Sequence, residues 1–262
     1  MNLTGRTILI TGGSAGIGLA FALKFIELGN EVIVTGRRQA VLDEVKAKHP
    51  RLHIIQSDVA DPAQIAALAA RVKADFPNLD VLMNNAGVML HKNLKAPAAD
   101  LAGLMAEMNI NLGGVIGMTS AFIDILMANK GTLINVSSAL AFVPLPSAPI
   151  YSASKAAIHS YTQSLRFQLE KTGIEVIELM PPAVKTDLAA DLAEGDVFTL
   201  MTTDALVKQS FASLKAGTLE IRPGQAKQLA LLRRLAPGFI NGRLWKASKK
   251  LVPVAVGQAG QL

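Results

Sequence analysis

Short runs of β-branched and other apolar residues alternate along the chain with alanine-rich segments long enough to form helices. The first run, TILIT, leads directly into a glycine-rich turn, and apolar residues then recur at helical spacing from Ile17 until Gly29. Strands that are apolar throughout are typical of parallel sheets covered on both faces, and parallel strands need crossover connections. The sequence therefore predicts a three-layer, doubly wound α/β fold with a mostly parallel sheet of about seven strands. The predicted strands are 7–11, 31–35, 52–56, 81–84, 132–136, 175–179 and 217–221.

The composition favours one globular domain spanning 1–262, because α/β sheets often run past about 200 residues without splitting. Half of the residues are apolar and 18% are charged. The chain has no cysteine, which excludes disulfides and thiolate metal sites, and its first residues lack the layout of a signal peptide. No apolar run approaches the roughly 18 uninterrupted residues typical of a membrane span. We therefore expect a cytoplasmic protein without an integral membrane span.

Positive charge is concentrated at the C-terminal end. Eight Lys and Arg and no acidic residue follow Glu220, so the net charge of +6 divides into +8 after that residue and −2 up to it. We interpret 222–262 as a basic, weakly amphipathic C-terminal extension. Such a segment is either a solvated surface or attracts phosphate, acidic lipid or an acidic protein, so peripheral membrane contact is compatible with it. We expect no nucleic-acid partner.

The segment after Asp187 loses the regular β-α alternation. We interpret 187–215 as a substrate-side lid, in which Phe198, Leu200 and Met201 either cover the substrate or pack in the core.

The turn TGGSAGIG places glycines where the first strand passes into a helix. Gly12, Gly16 and Gly18 leave the backbone open to a dinucleotide pyrophosphate, and the helix N-terminus offers free N–H groups. An ordinary strand-to-helix turn is the alternative. We predict cofactor contacts at this turn from Gly12, Ser14, Gly16, Ile17 and Gly18.

The second predicted strand ends in TGRR, which contains Arg37 and Arg38. An acidic residue here would hydrogen-bond the adenosine ribose of NAD, whereas arginine pairs with the additional 2′-phosphate of NADP. The sequence therefore favours NADP(H) over NAD(H), unless both arginines are merely solvated at a helix start. After the third strand, Asp58 and Val59 are placed to meet the adenine, with a helix cap as the alternative for Asp58.

Tyr151 and Lys155 are four residues apart on a predicted helix, so both side chains project from one face. A phenol with its ordinary pKa of about 10 is a poor base at neutral pH, but a neighbouring ammonium group stabilises the phenolate and lowers that pKa. A carbonyl undergoing reduction also needs a second donor at its oxygen, and our candidate is Ser138, ahead of Ser147. Taken alone, the Tyr-Lys spacing also fits an exposed pair on a helix surface.

Together these motifs resemble the short-chain dehydrogenase/reductase family, in its short, single-domain branch. The resemblance runs from Thr7 to Thr186. It rests on TGGSAGIG, NNAG at 84–87, NINL at 109–112, Ser138 and YSASK at 151–155. Within the family, the Pro181-Pro182 pair, LGNEVIVTGRR and the basic C-terminal stretch resemble a bacterial subgroup of oxidoreductases from the teichoic-acid D-alanylation operon.

The resemblance implies a Rossmann-type fold and a catalytic tetrad. The tetrad would be Asn111, Ser138, Tyr151 and Lys155, with Lys155 also holding the nicotinamide ribose and Asn111 maintaining a water-linked proton relay. Further cofactor contacts would come from Asn85, Ala86, Gly87, Tyr151, Lys155, Pro181, Val184 and Thr186. Pro182 departs from the usual Pro-Gly pair. The resemblance also implies a homodimer or homotetramer packed through helices near 112–128 and 152–170.

We therefore predict an NADP(H)-dependent oxidoreductase that transfers hydride between the nicotinamide and a small-molecule carbonyl or secondary alcohol, with Tyr151 as general acid or base. The alternative is an NADP(H)-binding sensor or scaffold acting through the basic C-terminal extension. Sugar-nucleotide epimerisation uses similar chemistry in related longer proteins, but this chain is too short for their substrate domain. The four histidines show no metal-ligand spacing, so no metal site is predicted.

Overall fold

The computed structural model describes residues 1–94, 101–192, 199–249 and 251. The strands are β1 (Thr7–Thr11), β2 (Glu31–Gly36), β3 (His53–Gln56), β4 (Leu79–Asn84), β5 (Thr132–Val136), β6 (Glu175–Leu179) and β7 (Glu220–Ile221). The helices are α1 (Gly16–Glu27), α2 (Gln39–Lys48), α3 (Pro62–Asp75), α4 (Leu101–Met108), α5 (Gly114–Ala128), α6 (Pro149–Gln168), α7 (Thr203–Lys215), α8 (Gln225–Leu235) and α9 (Pro237–Ser248).

The strands form one parallel sheet in the order β3-β2-β1-β4-β5-β6-β7. This confirms the predicted doubly wound α/β fold. The predicted bounds of β1, β5 and β6 agree with the structure, whereas β7 is only two residues long. The strand order reverses between β1 and β4, and in such sheets a crevice opens there beyond the carboxyl ends of the strands.

Two apolar layers hold the helices on the two faces of the sheet. On one face, α1, α2 and α7 pack against the strands, and Phe211 on α7 lies 4.8 Å from Phe25 and 5.6 Å from Phe21 between ring centroids. On the other face, α3, α5 and α6 pack through residues such as Leu68, Phe122 and Leu165. Both faces are covered, which explains why the central strands are apolar throughout.

Residues 101–128 form one continuous helical stretch in which a π-helical turn, Asn109–Gly113, joins α4 to α5. Within the described chain, this is the one helix whose length and composition suffice to cross a membrane, with a mean hydropathy of 1.6. Its Met118, Phe122 and Leu126 are fully buried against the sheet. In the apolar window of this helix, 39% of the residues are buried inside the protein.

Within the predicted basic C-terminal extension, 222–262, the two helices α8 and α9 pack against the rest of the domain. The two helices α8 and α9 pack Leu232, Ile240 and Leu244 around Val143, in the loop that follows β5. On each helix these apolar residues lie on one face. Burial of that face stabilises the packing of α8 and α9 against the domain. Residues 250 and 252–262 lie outside the described residues.

The predicted lid, 187–215, divides into two parts. Ala189, Leu192 and Leu200 pack beside Tyr151, whereas α7 packs in the core next to α1. Both parts reach the cleft, since Ala189 and Leu192 before α7 and Val207 and Phe211 on α7 line it. Phe198, which we also assigned to the lid, lies outside the described residues.

The Phe25→Ala substitution tests the core. Phe25 is fully buried, so we expect truncation to lower the free energy of unfolding by about 3–5 kcal/mol through lost transfer energy and the cavity left behind. The control is Leu101→Ala, because Leu101 on α4 is 69% exposed and its loss should change stability by less than about 0.5 kcal/mol. Urea unfolding followed by circular dichroism measures both. Equal losses in the two variants would contradict the assigned core.

Candidate active site

A cleft of about 1170 Å³ opens at the carboxyl ends of the strands, between the glycine turn and Tyr151. Typical small-molecule pockets measure about 300–1,000 Å³, so this volume accommodates a dinucleotide together with a substrate. The predicted residues that line it are Gly12, Ser14, Gly16, Ile17, Arg37, Arg38, Asp58, Val59, Asn85, Ala86, Gly87, Ser138, Tyr151, Lys155, Pro181, Val184 and Thr186. The remaining two predicted residues, Gly18 and Asn111, support the cleft without lining it.

The glycine turn leaves no room for side chains. Gly12 and Gly16 have φ values of 64° and 53°, in the left-handed region that favours glycine. A β-carbon on Gly18 would lie 2.4 Å from the carbonyl oxygen of Gly12, so Gly18 allows α1 to approach the turn. No side chain caps the N-terminus of α1, and its first turn holds no acidic residue. The N–H groups of that turn therefore suit a pyrophosphate.

The two arginines line the cleft beside the glycine turn, where the N–H of Gly13 donates to the carbonyl of Thr35 at 3.0 Å. Arg37 and Arg38 are exposed at the end of β2, where the side-chain amide of Gln56 donates to the carbonyl of Arg37 at 2.8 Å. The residue that caps the N-terminus of α3 is Asp61. The alternative interpretation of Asp58 as the helix cap is therefore wrong. Asp58 instead accepts the N–H of Ala60 through Oδ1 at 2.9 Å and lines the cleft.

Tyr151, Ser138 and Lys155 lie together where β5 ends. The Ser138 hydroxyl hydrogen-bonds the Tyr151 phenol and accepts the N–H of Leu140 at 3.1 Å. Lys155 Nζ lies 5.4 Å from the centroid of the Tyr151 ring and donates to the carbonyl of Val136 at 2.9 Å. All three side chains are buried. The alternative interpretation, that Tyr151 and Lys155 form an exposed pair on a helix surface, is therefore wrong.

Burial is the main cause of the shifted pKa values of Tyr151 and Lys155. Burial raises the pKa of Tyr151 to about 12, with the Ser138 hydrogen bond opposing the rise and the charge of Glu107 adding to it. Burial lowers the pKa of Lys155 to about 8. We predicted a lowered tyrosine pKa from the neighbouring ammonium group, but in this structure desolvation outweighs that attraction. The Tyr151 phenol is therefore neutral near pH 7.

Asn111 is fully buried and binds backbone groups behind the cleft. Its Oδ1 accepts the N–H of Val88 at 2.8 Å, and its Nδ2 donates to the Val88 carbonyl at 2.9 Å and to Ser154 Oγ at 3.2 Å. A β-carbon at Gly87 would lie 3.1 Å from the same Oδ1. Asn111 thus joins the loop after β4 to α6, and the π-helical turn orients it inward, as π-turns often do at functional sites.

Sequence reasoning missed Glu107, one helical turn before Asn111. Its side chain is buried, Oε1 accepts the N–H of Leu90 at 3.2 Å, and Oε2 has no hydrogen-bond partner among the described residues. Burial raises the pKa of the Glu107 carboxyl, against the Leu90 N–H and the charge of Lys92. Its only sequence signal is one acid in the apolar helical segment LMAEM.

The segment after β6 lies against the glycine turn despite its Pro-Pro sequence. The N–H of Ala139 donates to the carbonyl of Pro181 at 2.9 Å, and a β-carbon on Gly16 would lie 3.3 Å from Thr186 Cγ2. Val184 forms a parallel bridge with Met201. These contacts place Val184 and Thr186 on the cleft wall near the glycine turn, while Pro182 also lines the cleft.

A second polar cluster lies behind the site. Glu178 on β6 is fully buried, accepts the hydroxyl of Ser137 and bonds His159 Nδ1 at 2.8 Å. The bond to Glu178 raises the pKa of His159, with burial opposing. His91 lies on the loop after β4, where its Nδ1 is 3.0 Å from Ser147 Oγ. Ser147 therefore ties that loop to the approach to α6 and does not replace Ser138.

Apolar side chains surround Tyr151 at one end of the cleft. Tyr151 packs in a cluster with Leu145, Leu192 and partly buried Met89. Leu229 on α8 and Leu244 on α9 also line the cleft, which sequence reasoning missed. Their signal was the helical spacing of Leu229 with Leu232 and of Ile240 with Leu244.

Residues 6–196 match the family model for short chain dehydrogenase. The uncharacterized oxidoreductase DltE of Bacillus subtilis is 40% identical over 224 residues, which cover 84% of this chain and 89% of that protein. The uncharacterized oxidoreductase SSP0419 of Staphylococcus saprophyticus is 30% identical over 201 residues, covering 74% of this chain and 85% of that protein. The chain therefore belongs to the short-chain dehydrogenase family, and the likeness to DltE supports the predicted subgroup.

Solved structures share the fold. A short chain dehydrogenase from Burkholderia cenocepacia in complex with NADP has a TM-score of 0.82 at 29% identity, covering 93% of this chain and 99% of that chain. A short chain dehydrogenase/reductase from Burkholderia phymatum in complex with NAD has a TM-score of 0.79 at 22% identity, covering 93% of this chain and 96% of that chain. Proteins bound to either nicotinamide cofactor thus have this architecture.

The raised pKa of Tyr151 is directly measurable, because the chain contains only two tyrosines, Tyr151 and Tyr161. We expect the phenolate absorbance that is missing from Tyr151→Phe to develop with a pKa of about 12 in the cofactor-free protein. The ordinary value is about 10.

The Glu107→Gln variant removes a negative charge beside Tyr151 and should lower that pKa. Tyr161→Phe is the control that isolates the Tyr151 signal. A Tyr151 titration at the ordinary tyrosine value would contradict the buried environment.

Proposed function

We propose that the chain is an NADP(H)-dependent oxidoreductase that interconverts a small-molecule carbonyl and a secondary alcohol, with Tyr151 as the general acid or base. The observation that carries the proposal is the buried Tyr151 phenol, hydrogen-bonded to Ser138, in a cleft that also contains an open glycine turn. Membership of the short-chain dehydrogenase family supports the reaction class.

The residues present fit a nicotinamide dinucleotide. The uncapped α1 and its glycines suit the pyrophosphate, and Arg37 and Arg38 suit a 2′-phosphate. Lys155 would hold the nicotinamide ribose, and Val184 and Thr186 would meet the carboxamide. When bound in its reduced form, the cofactor supplies the hydride for the carbonyl carbon.

In the reductive direction, Tyr151 donates its phenolic proton to the carbonyl oxygen, which becomes the alcohol hydroxyl. The raised pKa of Tyr151 keeps that proton in place at neutral pH. Ser138 fixes the carbonyl oxygen as the second hydrogen-bond donor. Lys155, with its pKa lowered to about 8, exchanges protons near neutral pH and supports reprotonation of the tyrosine. Asn111 maintains the relay by fixing the backbone at Val88.

A homo-oligomer is part of the proposal. The outer faces of α5 and α6, which we predicted as the interface, expose Ile116, Met127 and Phe167. Exposed apolar residues on two helices support such packing. We do not favour the alternative of a sensor or scaffold. Such a protein would not need the buried group of Ser138, Tyr151 and Lys155, whereas an enzyme would.

The Tyr151→Phe substitution tests the chemistry. It removes the transferable proton and leaves the ring, so we expect kcat for carbonyl reduction to fall about 10²- to 10⁴-fold while NADPH binding survives. A panel of aldehydes, ketones and secondary alcohols, followed through NADPH and NADH absorbance, identifies the substrate for this assay. Tyr161→Phe on the same helix is the matched control. Full turnover by Tyr151→Phe would overturn the assignment.

Replacing Arg37 and Arg38 together by Ala tests the cofactor preference. Losing charge-assisted bonds to the 2′-phosphate should raise the Kd for NADPH about 10- to 100-fold, and NADH binding should change little. The control is Arg51→Ala, since Arg51 is exposed just before β3. Fluorescence titration with both cofactors measures the effect. An equal loss for NADPH and NADH would indicate a structural role instead.

A further inference from the structure

The helices α8 and α9 each have two different faces. Their inner faces pack Leu229, Leu232, Ile240 and Leu244 towards the cleft and the loop after β5. On their outer faces, Leu231, Leu235, Phe239 and Trp245 are 57%, 70%, 59% and 46% exposed. Four large apolar side chains on two adjoining helices exceed the scattered exposure expected of a soluble surface.

Cationic residues alternate with these apolar side chains. Lys227 and Arg234 lie on the outer face of α8 beside Leu231, and Lys246 and Lys249 lie on the outer face of α9. Lys249 Nζ stands 5.7 Å from the centroid of the Trp245 ring. No acidic residue occurs after Glu220, so this surface is uniformly positive.

We infer that this outer face of α8 and α9 docks onto the surface of a lipid bilayer that contains anionic lipids. Helices that combine Lys and Arg with exposed Leu, Phe and Trp bind in the plane of a membrane interface. The cations are attracted to acidic headgroups, each contributing additively near the surface. Tryptophan is favoured at the boundary between lipid headgroups and hydrocarbon, because its ring is apolar and its N–H is polar.

A bilayer fits these observations better than an acidic protein does. The exposed apolar residues are spread along both helices, and a membrane interface, unlike a protein partner, demands no shape complementarity. The same helices line the cleft on their inner side, so docking would place the substrate end of the cleft within about one helix diameter, ~10 Å, of the headgroups.

The single tryptophan makes docking observable in the full chain, since Trp245 lies on the proposed face. We expect its emission to shift to shorter wavelength on adding phosphatidylglycerol vesicles and to stay unchanged with phosphatidylcholine vesicles. Added salt should weaken the shift, because exposed charges are screened.

Two double variants separate the contributions. Lys227→Gln with Arg234→Gln should lower the vesicle partition coefficient about 10- to 30-fold, and Leu231→Gln with Leu235→Gln should lower it about tenfold or more. Their matched controls, Lys48→Gln with Arg51→Gln and the single Leu101→Gln, alter exposed residues elsewhere and should bind as wild type does. Far-ultraviolet circular dichroism verifies that each variant is folded.

The inference does not depend on the proposed reaction, because its readout is Trp245 emission. It would be overturned by an absent shift with anionic vesicles, or by loss of partitioning in the control variants to the same extent. A shift that grows with protein concentration without vesicles would overturn it too, since the face would then be a contact between two copies.

Discussion

Four hydrogen bonds join the glycine turn to the loop after β4, at the point where the strand order reverses. The side-chain amide of Asn85 donates to the carbonyls of Thr11 and Gly12, and the Thr11 hydroxyl accepts the N–H groups of Asn85 and Ala86. Gly18 allows α1 to pack against the same atoms. Because this clamp fixes the turn, it fixes both the start of α1 and the loop that Asn111 holds on its other side. The cofactor end and the catalytic end of the cleft depend on one set of contacts.

The sequence predicted the features that arise from local patterns. The apolar runs of β1, β5 and β6 match the structure because strands buried on both faces need continuous apolar residues. The glycine turn and the Tyr151-Lys155 spacing also have local signals, and the structure brings them into one cleft. Knowledge of the family supplied Asn111, whose role depends on contacts with Val88 that no local pattern reveals.

Two kinds of information were not readable from the sequence. The packing of α8 and α9 over the loop after β5 depends on contacts between residues far apart in the chain: Val143 lies 89 residues before Leu232 and 101 before Leu244. Solvation decided the protonation of Tyr151: the ammonium of Lys155 is nearby, but burial of the phenol and the unpartnered oxygen of Glu107 both act against the phenolate. The four-residue spacing of Tyr151 and Lys155 predicts that they are close together. The pKa of Tyr151 depends in addition on how far the fold excludes water from the phenol, which the spacing does not show.

The two edges of the sheet are unusually poor templates for another strand. β7 offers only two residues, and β3 at the opposite edge offers four. Short edge strands present few unpaired N–H and C=O groups, which hinders edge-to-edge aggregation. At the described edges, growth of the sheet by addition of a strand from a second copy is therefore disfavoured.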